Sequence, residues 1–158
     1  MKLKTKTRRW GCALTSFAMA LDVTDDDLIA VIGHDGGFIF RDYPEPCNRR
    51  GFHISELIIA ARQLGYSVTP IERCPSWYYR EGDNVIRRSF NDNIDYFNST
   101  ITTTSGVITG DNSKGGHAVA YERGRLFDPD GFECAYGEQS FIPRYAWIVE
   151  PRGQLGVA

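Results

Sequence analysis

The strongest pattern in the sequence is the segment 10–21, WGCALTSFAMAL, which reads as a turn of small residues leading into an amphipathic helix. Its apolar residues follow the i, i+3, i+4, i+7 spacing of a single helix face: Leu14, Phe17, Ala18 and Leu21. We predict a buried central helix with Cys12 at its first turn. A thiol there lies near unpaired backbone N–H groups and the positive end of the helix dipole, which favour the thiolate. Free cysteine is also among the most buried residue types, so the position alone is compatible with a structural cysteine.

The length and net charge of the chain limit the classes of protein to which it can belong. At 158 residues, a single domain spanning 1–158 can bury a substantial core without disulfides or metal ions. The net charge of -2 disfavours a general nucleic-acid binder, because such domains carry a basic excess on one face. The basic N-terminus is not followed by an apolar run long enough for a signal peptide or a membrane helix. We therefore predict a cytoplasmic protein whose partner is neither nucleic acid nor a membrane.

The cysteines disfavour a metal site. They lie at positions 12, 47, 74 and 134, widely separated in the sequence, and are expected as thiols in a reducing compartment. A zinc site normally contains at least one close pair of ligands, and the sequence has neither C-x-x-C nor H-x-x-x-H. We predict no metal ion and no cofactor.

Two further helices are predicted before residue 65. Thr24 and the three aspartates after it form a capping signal for a short second helix, which ends at Gly33. A third helix is predicted over 52–64, with Ser55 as its N-cap. Between these helices, 34–51 is rich in glycine, proline and charge, which predicts a long exposed loop.

A fourth helix is predicted over 85–98. Its apolar residues recur every three or four positions: Ile86, Phe90, Ile94 and Phe97. The threonine-rich residues that follow are predicted to be extended or a loop.

Strand patterns occupy the two ends and the middle of the chain. Residues 1–9 alternate lysine with uncharged side chains, which predicts an edge strand with a solvated basic face. A strand over 66–71 is restricted to an edge or a strand end by Pro70. The last third contains four predicted strands, with a tight turn at 122–124: 106–110, 117–121, 125–127 and 145–149. Helices followed by a run of antiparallel strands define an α+β fold.

The predicted hairpin in the last third of the chain contains candidate catalytic residues. His117 opens a strand directly after Gly115 and Gly116, which permit close approach of a ligand or another backbone. Asp128 ends the next strand, so a tight hairpin can bring its carboxylate beside the imidazole, orient it and stabilise its protonated form. Cys12 is the candidate nucleophile, because a neutral histidine can take its proton and later protonate a leaving group. The backbone N–H of Cys12 would be one oxyanion donor.

The motifs WGCALTSFAMAL, GGHAVAY and FDPDG, in this order, resemble those of the papain-like cysteine peptidases, nearest the bacteriocin-processing-peptidase-like branch. The resemblance implies an α+β fold in which an N-terminal helix carrying the nucleophile packs on a C-terminal antiparallel sheet. It implies Cys12 as nucleophile, His117 as general acid/base and Asp128 as orienting group. The implied reaction is cleavage of a peptide or isopeptide bond through an acyl-thioenzyme, with a peptide or protein as substrate.

The oxyanion hole departs from the pattern of that family. Its members usually place a glutamine six residues before the cysteine, where this chain has Lys6. Lys6 and Thr7 are the candidate replacement donors, although an amine on an edge strand is a less fixed donor. Gly115 and Gly116 would let an extended substrate lie against their strand, and the loop 34–51 is a candidate lid or specificity element.

Two other functions remain open from the sequence. The same triad serves acyl or amide transfer, in which an amine instead of water resolves the thioester. Because Lys6 replaces the glutamine, the chain is alternatively a papain-like binding module with weak catalysis.

The remaining polar and aromatic candidates receive structural interpretations. His34 and His53 are interpreted as surface or capping residues. Cys47 has no helix start and no nearby base, and Cys74 and Cys134 are interpreted as bystanders. The aromatic residues 77–79 line either a substrate cleft or the core.

Overall fold

The chain combines helices with an antiparallel sheet. The computed structural model describes residues 1–37, 50–74, 79–81, 84–86 and 90–153. The helices within these ranges are α1 (Cys12–Leu21), α2 (Asp25–Ile32), α3 (Ile54–Gln63) and α4 (Phe90–Thr103). The strands are β1 (Tyr66–Glu72), β2 (Tyr79–Glu81), β3 (Asn84–Ile86), β4 (Ser105–Asn112), β5 (Gly115–Glu122), β6 (Arg125–Asp128), β7 (Phe132–Ala135) and β8 (Ile142–Pro151). Six strands form one sheet in the order β1-β8-β4-β5-β6-β7, and β2 pairs with β3 separately.

Helices cover both faces of this sheet. Side chains alternate along β5, so Ala118 belongs to the core shared with α1, α2 and α3, whereas Val119 belongs to the core beneath α4. Phe17 of α1 and Phe97 of α4 are both fully buried in these two layers. Each such side chain stabilises the fold by about 2 kcal/mol relative to an exposed position. The strand that carries His117 is therefore packed from both sides.

α1 has the buried face that its sequence spacing predicts. Each of the four apolar residues is at most 1% exposed: Leu14, Phe17, Ala18 and Leu21. The helix begins at Cys12, with Gly11 in the N-cap position. A Cβ atom on Gly11 would lie 3.1 Å from the carbonyl oxygen of Arg8, so glycine lets the preceding segment turn closely over the start of the helix.

α2 and α3 lie where the sequence predicts them, but the cap of α3 differs. In α2 the Thr24 hydroxyl accepts the backbone N–H of Asp27 at 3.1 Å, and the Asp27 carboxylate accepts that of Thr24 at 2.8 Å. The cap of α3 is His53, whose backbone N–H donates to Glu56 Oε2 at 2.9 Å. Ser55 is instead an exposed residue of the first turn. The prediction of Ser55 as the N-cap was wrong. The Glu56 carboxylate accepts the backbone N–H of His53, so the cap lies at His53, before the serine.

The predicted edge strand over 1–9 is wrong. The backbone N–H of Lys6 donates to the Pro129 carbonyl oxygen at 2.9 Å, and that of Lys4 to the sulfur of Met19 at 3.1 Å. Leu3 packs against the small core cluster that contains Met19. Lys6 therefore contacts the turn after β6, whereas Lys4 contacts α1. No single strand within the described ranges pairs with this segment, so the hydrogen-bond ladder of an edge strand does not form.

The predicted helix over 85–98 is displaced along the chain. Its first residues form β3, and α4 runs through the threonines that were predicted to be extended. The hydroxyls of Thr100 and Thr104 donate to backbone carbonyl oxygens four residues earlier, at 2.9 Å and 2.7 Å. Phe97 and Ile101 anchor the same helix in the core. Tertiary packing thus outweighs the low helix propensity of threonine.

The strands of the last third are confirmed, with one addition. β4, β5, β6 and β8 extend the predicted segments, and Arg123 and Gly124 both have positive φ, 47° and 82°, in the tight turn between β5 and β6. β7 is an additional edge strand that pairs with β6. β1 lies at the opposite edge, as Pro70 predicts.

Several predictions concern residues outside the described ranges. These are most of the loop 34–51, with Cys47, and the aromatic residues 77 and 78. Among the described helices, none combines the length and the apolar character needed to cross a membrane.

Candidate active site

Cys12 lies where the first turn of α1 meets β5. Hydrogen bonding by the side chain of His117 and by the backbone of Ala118 lowers the pKa of its thiol. Burial opposes ionisation of the thiol, but these bonds, the charge of His117 and the more distant charge of Lys6 together lower the pKa of Cys12 below its usual 9.0. The structure therefore gives Cys12 the surroundings of a thiolate.

His117 is held between two acidic partners. Its Nε2 atom lies 2.8 Å from Asp128 Oδ2, which leaves Nδ1 as the nitrogen available to Cys12. Burial alone would lower the pKa of His117, but the hydrogen bonds and negative charges of Asp128 and Cys12 raise it to about 9. The edge of the imidazole also contacts the ring of Phe141, with centroids 5.6 Å apart and planes at 73°. The ring is thus fixed by polar contacts at its nitrogens and by packing at its edge.

The hairpin of β5 and β6 brings the carboxylate to the imidazole. The paired residues end with Ala120 opposite Phe127, so Asp128 at the end of β6 reaches diagonally to His117. Only 8% of the His117 side chain and 7% of the Asp128 side chain are exposed. Asp128 Oδ1 accepts the backbone N–H of Asp130 at 2.8 Å, so both carboxylate oxygens are bound. The structure brings together the three residues proposed from the sequence.

The two candidate oxyanion donors differ in their surroundings. Lys6 forms an ion pair with Asp130, and its charge also acts on Cys12. Thr7 is exposed, and its hydroxyl accepts a bond from Arg8 Nη1 at 3.4 Å. Lys6 is therefore the candidate that lies near the start of α1, since a Cβ atom on Gly11 would be 3.8 Å from Lys6 Cβ.

Gly115 and Gly116 lie exposed at the start of β5. A Cβ atom on either residue would have no neighbour within 4 Å. The φ of Gly115 is +116°, a backbone conformation that a residue with a side chain rarely adopts. Open space therefore lies on the N-terminal side of His117.

Sequence reasoning missed Asp130. One carboxylate oxygen of Asp130, one nitrogen of His117 and one carboxylate oxygen of Asp128 all lie within 4.8 Å of one another. Such a group can bracket a cation, and the ammonium group of Lys6 is the cation that pairs with Asp130. Asp130 stands in the sequence Asp128-Pro129-Asp130-Gly131, which is a common turn pattern. The turn alone accounts for an aspartate at this position, so the sequence gives no separate reason to place Asp130 in the site.

His34 and His53 make contacts with Phe52 and Glu56, at the start of α3. His34 Nε2 lies 2.7 Å from Glu56 Oε1, and the imidazole stacks on Phe52 with centroids 5.2 Å apart. His53 caps the helix through its backbone. Their contacts agree with the structural interpretation from the sequence.

The fold can now be compared with known proteins. No family model and no curated protein matches the chain. The α+β arrangement described above is the papain-like peptidase fold. A solved structure with this fold is the peptidase domain of Streptococcus ComA, a bi-functional ABC transporter involved in a quorum sensing pathway. It matches with a TM-score of 0.56 and 12% identity over 96% of this chain and 98% of that chain, which confirms the resemblance read from the motifs at the level of the fold.

Proposed function

We propose that the chain is a thiol-dependent peptidase that cleaves a peptide or isopeptide bond. The observation that carries this proposal is the buried pair of His117 and Asp128, with Nε2 and Oδ2 2.8 Å apart, whose imidazole lowers the pKa of the Cys12 thiol. Each group has a partner of the kind that its step requires: a base for the thiol and a carboxylate for the imidazolium. The papain-like fold of the chain supports the same assignment.

The reaction begins with transfer of the thiol proton from Cys12 to His117. The thiolate then attacks the carbonyl carbon of the substrate, forming a C–S bond while the carbonyl electron pair moves to oxygen. As this pair returns, the C–N bond breaks and His117 protonates the departing amine. A water molecule that gives its proton to His117 then attacks the thioester carbon, which releases the acid and regenerates the thiol. Asp128 keeps the imidazole oriented and stabilises its positive charge throughout.

The oxyanion would be stabilised from two sides. The first backbone N–H groups of α1 have no acceptor within the helix, so that of Cys12 can donate to the developing negative charge. We propose Lys6 as the second donor, because its Cβ would lie 3.8 Å from a Cβ atom on Gly11, the residue before Cys12, and its charge lowers the pKa of Cys12. Thr7 has no comparable contact with Cys12 among the described residues.

The substrate would be a peptide or protein segment in an extended conformation. The pairing of β5 with β6 covers only the C-terminal half of β5, from Ala120 onwards. The exposed backbone around Gly115 and Gly116 therefore offers a place for an extended chain beside His117.

The nucleophile assignment is tested by site-specific alkylation. Iodoacetamide at pH 7 is expected to label Cys12 ahead of the other thiols, with the label located by peptide mass spectrometry. Cys12→Ala should abolish the fast labelling, whereas Cys134→Ala, which removes a thiol whose pKa burial raises, should preserve it. Fast labelling that persists in Cys12→Ala would overturn the assignment.

Hydrolysis and transfer are distinguished by their products. A peptide substrate should yield a free carboxylate, with His117→Ala inactive. If added amines replace water as the acyl acceptor, the transferase alternative is correct. If Cys12 has ordinary thiol reactivity with no dependence on His117, the chain is a binding module.

A further inference from the structure

One turn contacts both His117 and Lys6. The turn over 128–131 follows β6, and its first residue, Asp128, bonds His117 as described. Its second residue, Pro129, accepts the backbone N–H of Lys6 at 2.9 Å. Its third residue, Asp130, forms the ion pair with the Lys6 side chain. The same short turn is therefore attached to the proposed base and, twice, to the proposed oxyanion donor.

We propose that Asp130 is a positioning residue that holds the Lys6 ammonium group beside Cys12. The turn over 128–131 then sets the general base and the oxyanion donor in one rigid unit. This inference rests on the proposed function of Cys12 and His117, and it adds a residue that the triad does not require.

The chemistry of lysine explains why such a residue is needed. An ammonium group is a strongly hydrated point charge on a flexible stem of four carbons, so it is not fixed by its backbone alone. A donor must already be in place when the negative charge develops, since reorganisation during the reaction weakens its effect. The Asp130 carboxylate supplies a fixed acceptor that limits the positions open to Lys6.

The contacts of Asp130 show that it is itself well placed for this role. Its backbone N–H donates to Asp128 Oδ1 at 2.8 Å, which ties its position to the carboxylate that orients His117. The charges of His117 and Lys6 both lower the pKa of Cys12, and the Asp130 carboxylate that pairs with Lys6 also lies within 4.8 Å of a His117 nitrogen.

Two reagents separate positioning of the oxyanion donor from reactivity of the sulfur. With p-nitrophenyl acetate, the Cys12 thiolate forms a C–S bond to the acetyl carbon and the carbonyl electron pair moves to oxygen. Its return expels p-nitrophenolate and leaves the acetyl-thioenzyme. With iodoacetamide, the sulfur displaces iodide in one step and no oxyanion forms. Both rates are measured at a pH where the alkylation profile of each variant shows complete thiolate.

Asp130→Asn is expected to slow acetylation about tenfold, while alkylation changes little, because only acetylation passes through an oxyanion. Asp130→Glu keeps the charge and should recover part of the loss. In a Lys6→Gln background, Asp130→Asn should cause no further loss, since the group that it positions is absent. Glu133→Gln, which removes another carboxylate paired with a cation, should leave both rates unchanged. The Asp130 side chain is 45% exposed, so these variants are expected to fold, and their unfolding midpoints check this.

Two results would overturn the role of Asp130: equal slowing of both reactions by Asp130→Asn, or the same slowing with and without Lys6. Failure of the proposed function gives a different result, because acetylation of wild-type protein would then occur at other residues or would be no faster at Cys12 than in His117→Ala. Peptide mass spectrometry of the acetylated protein distinguishes the two failures.

Discussion

His117 and Asp128 face each other across a hairpin, with Nε2 and Oδ2 2.8 Å apart and both side chains almost completely buried. Burial removes the water that would otherwise solvate either charge, so each group depends on the other. The contact also determines which imidazole nitrogen is left for Cys12.

Removing this carboxylate should reduce the reactivity of Cys12. Asp128→Ala is expected to slow acylation about a hundredfold, because the imidazolium loses its charge partner and its orientation. Asp128→Asn should be less harmful, since an amide oxygen can still accept the hydrogen bond. Acylation by p-nitrophenyl acetate measures the effect, and Asp95→Asn, an exposed carboxylate on α4, is the control. Equal rates in Asp128→Ala and the control would contradict the role of Asp128.

The pH dependence of alkylation should reveal the thiolate–imidazolium pair. The pKa of Cys12 is lowered from 9.0, so the rate should rise as the pH increases through a value below 9.0. His117, with its pKa raised to about 9, stays protonated across that rise and loses its proton only as the pH increases through about 9. In His117→Ala the rise should move to higher pH, because the thiolate loses both a hydrogen bond and a positive charge. A rise at the same pH in both proteins would show that His117 does not control the thiol.

The open space beside β5 should be important for the substrate and not for the fold. A Cβ atom at Gly116 meets no other residue, so Gly116→Ala should leave the unfolding midpoint close to that of the wild type. The same methyl group would project into the region proposed for the substrate backbone, so the rate of peptide cleavage should fall while iodoacetamide labelling is unchanged. Unchanged cleavage would exclude this surface as the place where the substrate lies.

Gly110, on the neighbouring strand β4, differs from Gly116 because it has no space for a side chain. A Cβ atom there would lie 2.0 Å from the Ile142 carbonyl oxygen, where β4 and β8 shift register. Because backbone atoms cannot move aside locally, Gly110→Ala should lower the free energy of unfolding by about 3 kcal/mol. Chemical denaturation measures this loss, with Gly116→Ala as the matched control. A loss no greater than in Gly116→Ala would contradict the close packing of the two strands.

Local patterns were sufficient for the elements that carry the proposed nucleophile and base. The spacing from Leu14 to Leu21 predicts the buried face of α1, because a helical stripe reports burial on one side. The continuous apolar run after His117 predicts β5, a strand buried on both of its faces. The position of Asp128 beside His117 also follows from the hairpin, since a tight turn fixes the register.

Other features depended on contacts between distant parts of the chain. The N-terminal segment has the alternation of a strand, but its partners are Met19 and the turn at Pro129, which no local pattern identifies. The threonines of α4 are helical because Phe97 and Ile101 anchor that helix in the core. The ion pair of Asp130 with Lys6 joins two segments that are far apart in the sequence. The local pattern around Asp130 therefore indicates only a turn.

The packing of α1 against β5 has a consequence for the newly made protein. During synthesis the thiol leaves the ribosome long before the strand that supplies its imidazole and backbone donor. Until β5 and β6 have been added and folded, Cys12 has only the ordinary reactivity of a thiol. Under the proposed function, an unfinished chain does not yet carry an activated thiol, and the nucleophile forms only when the sheet is complete.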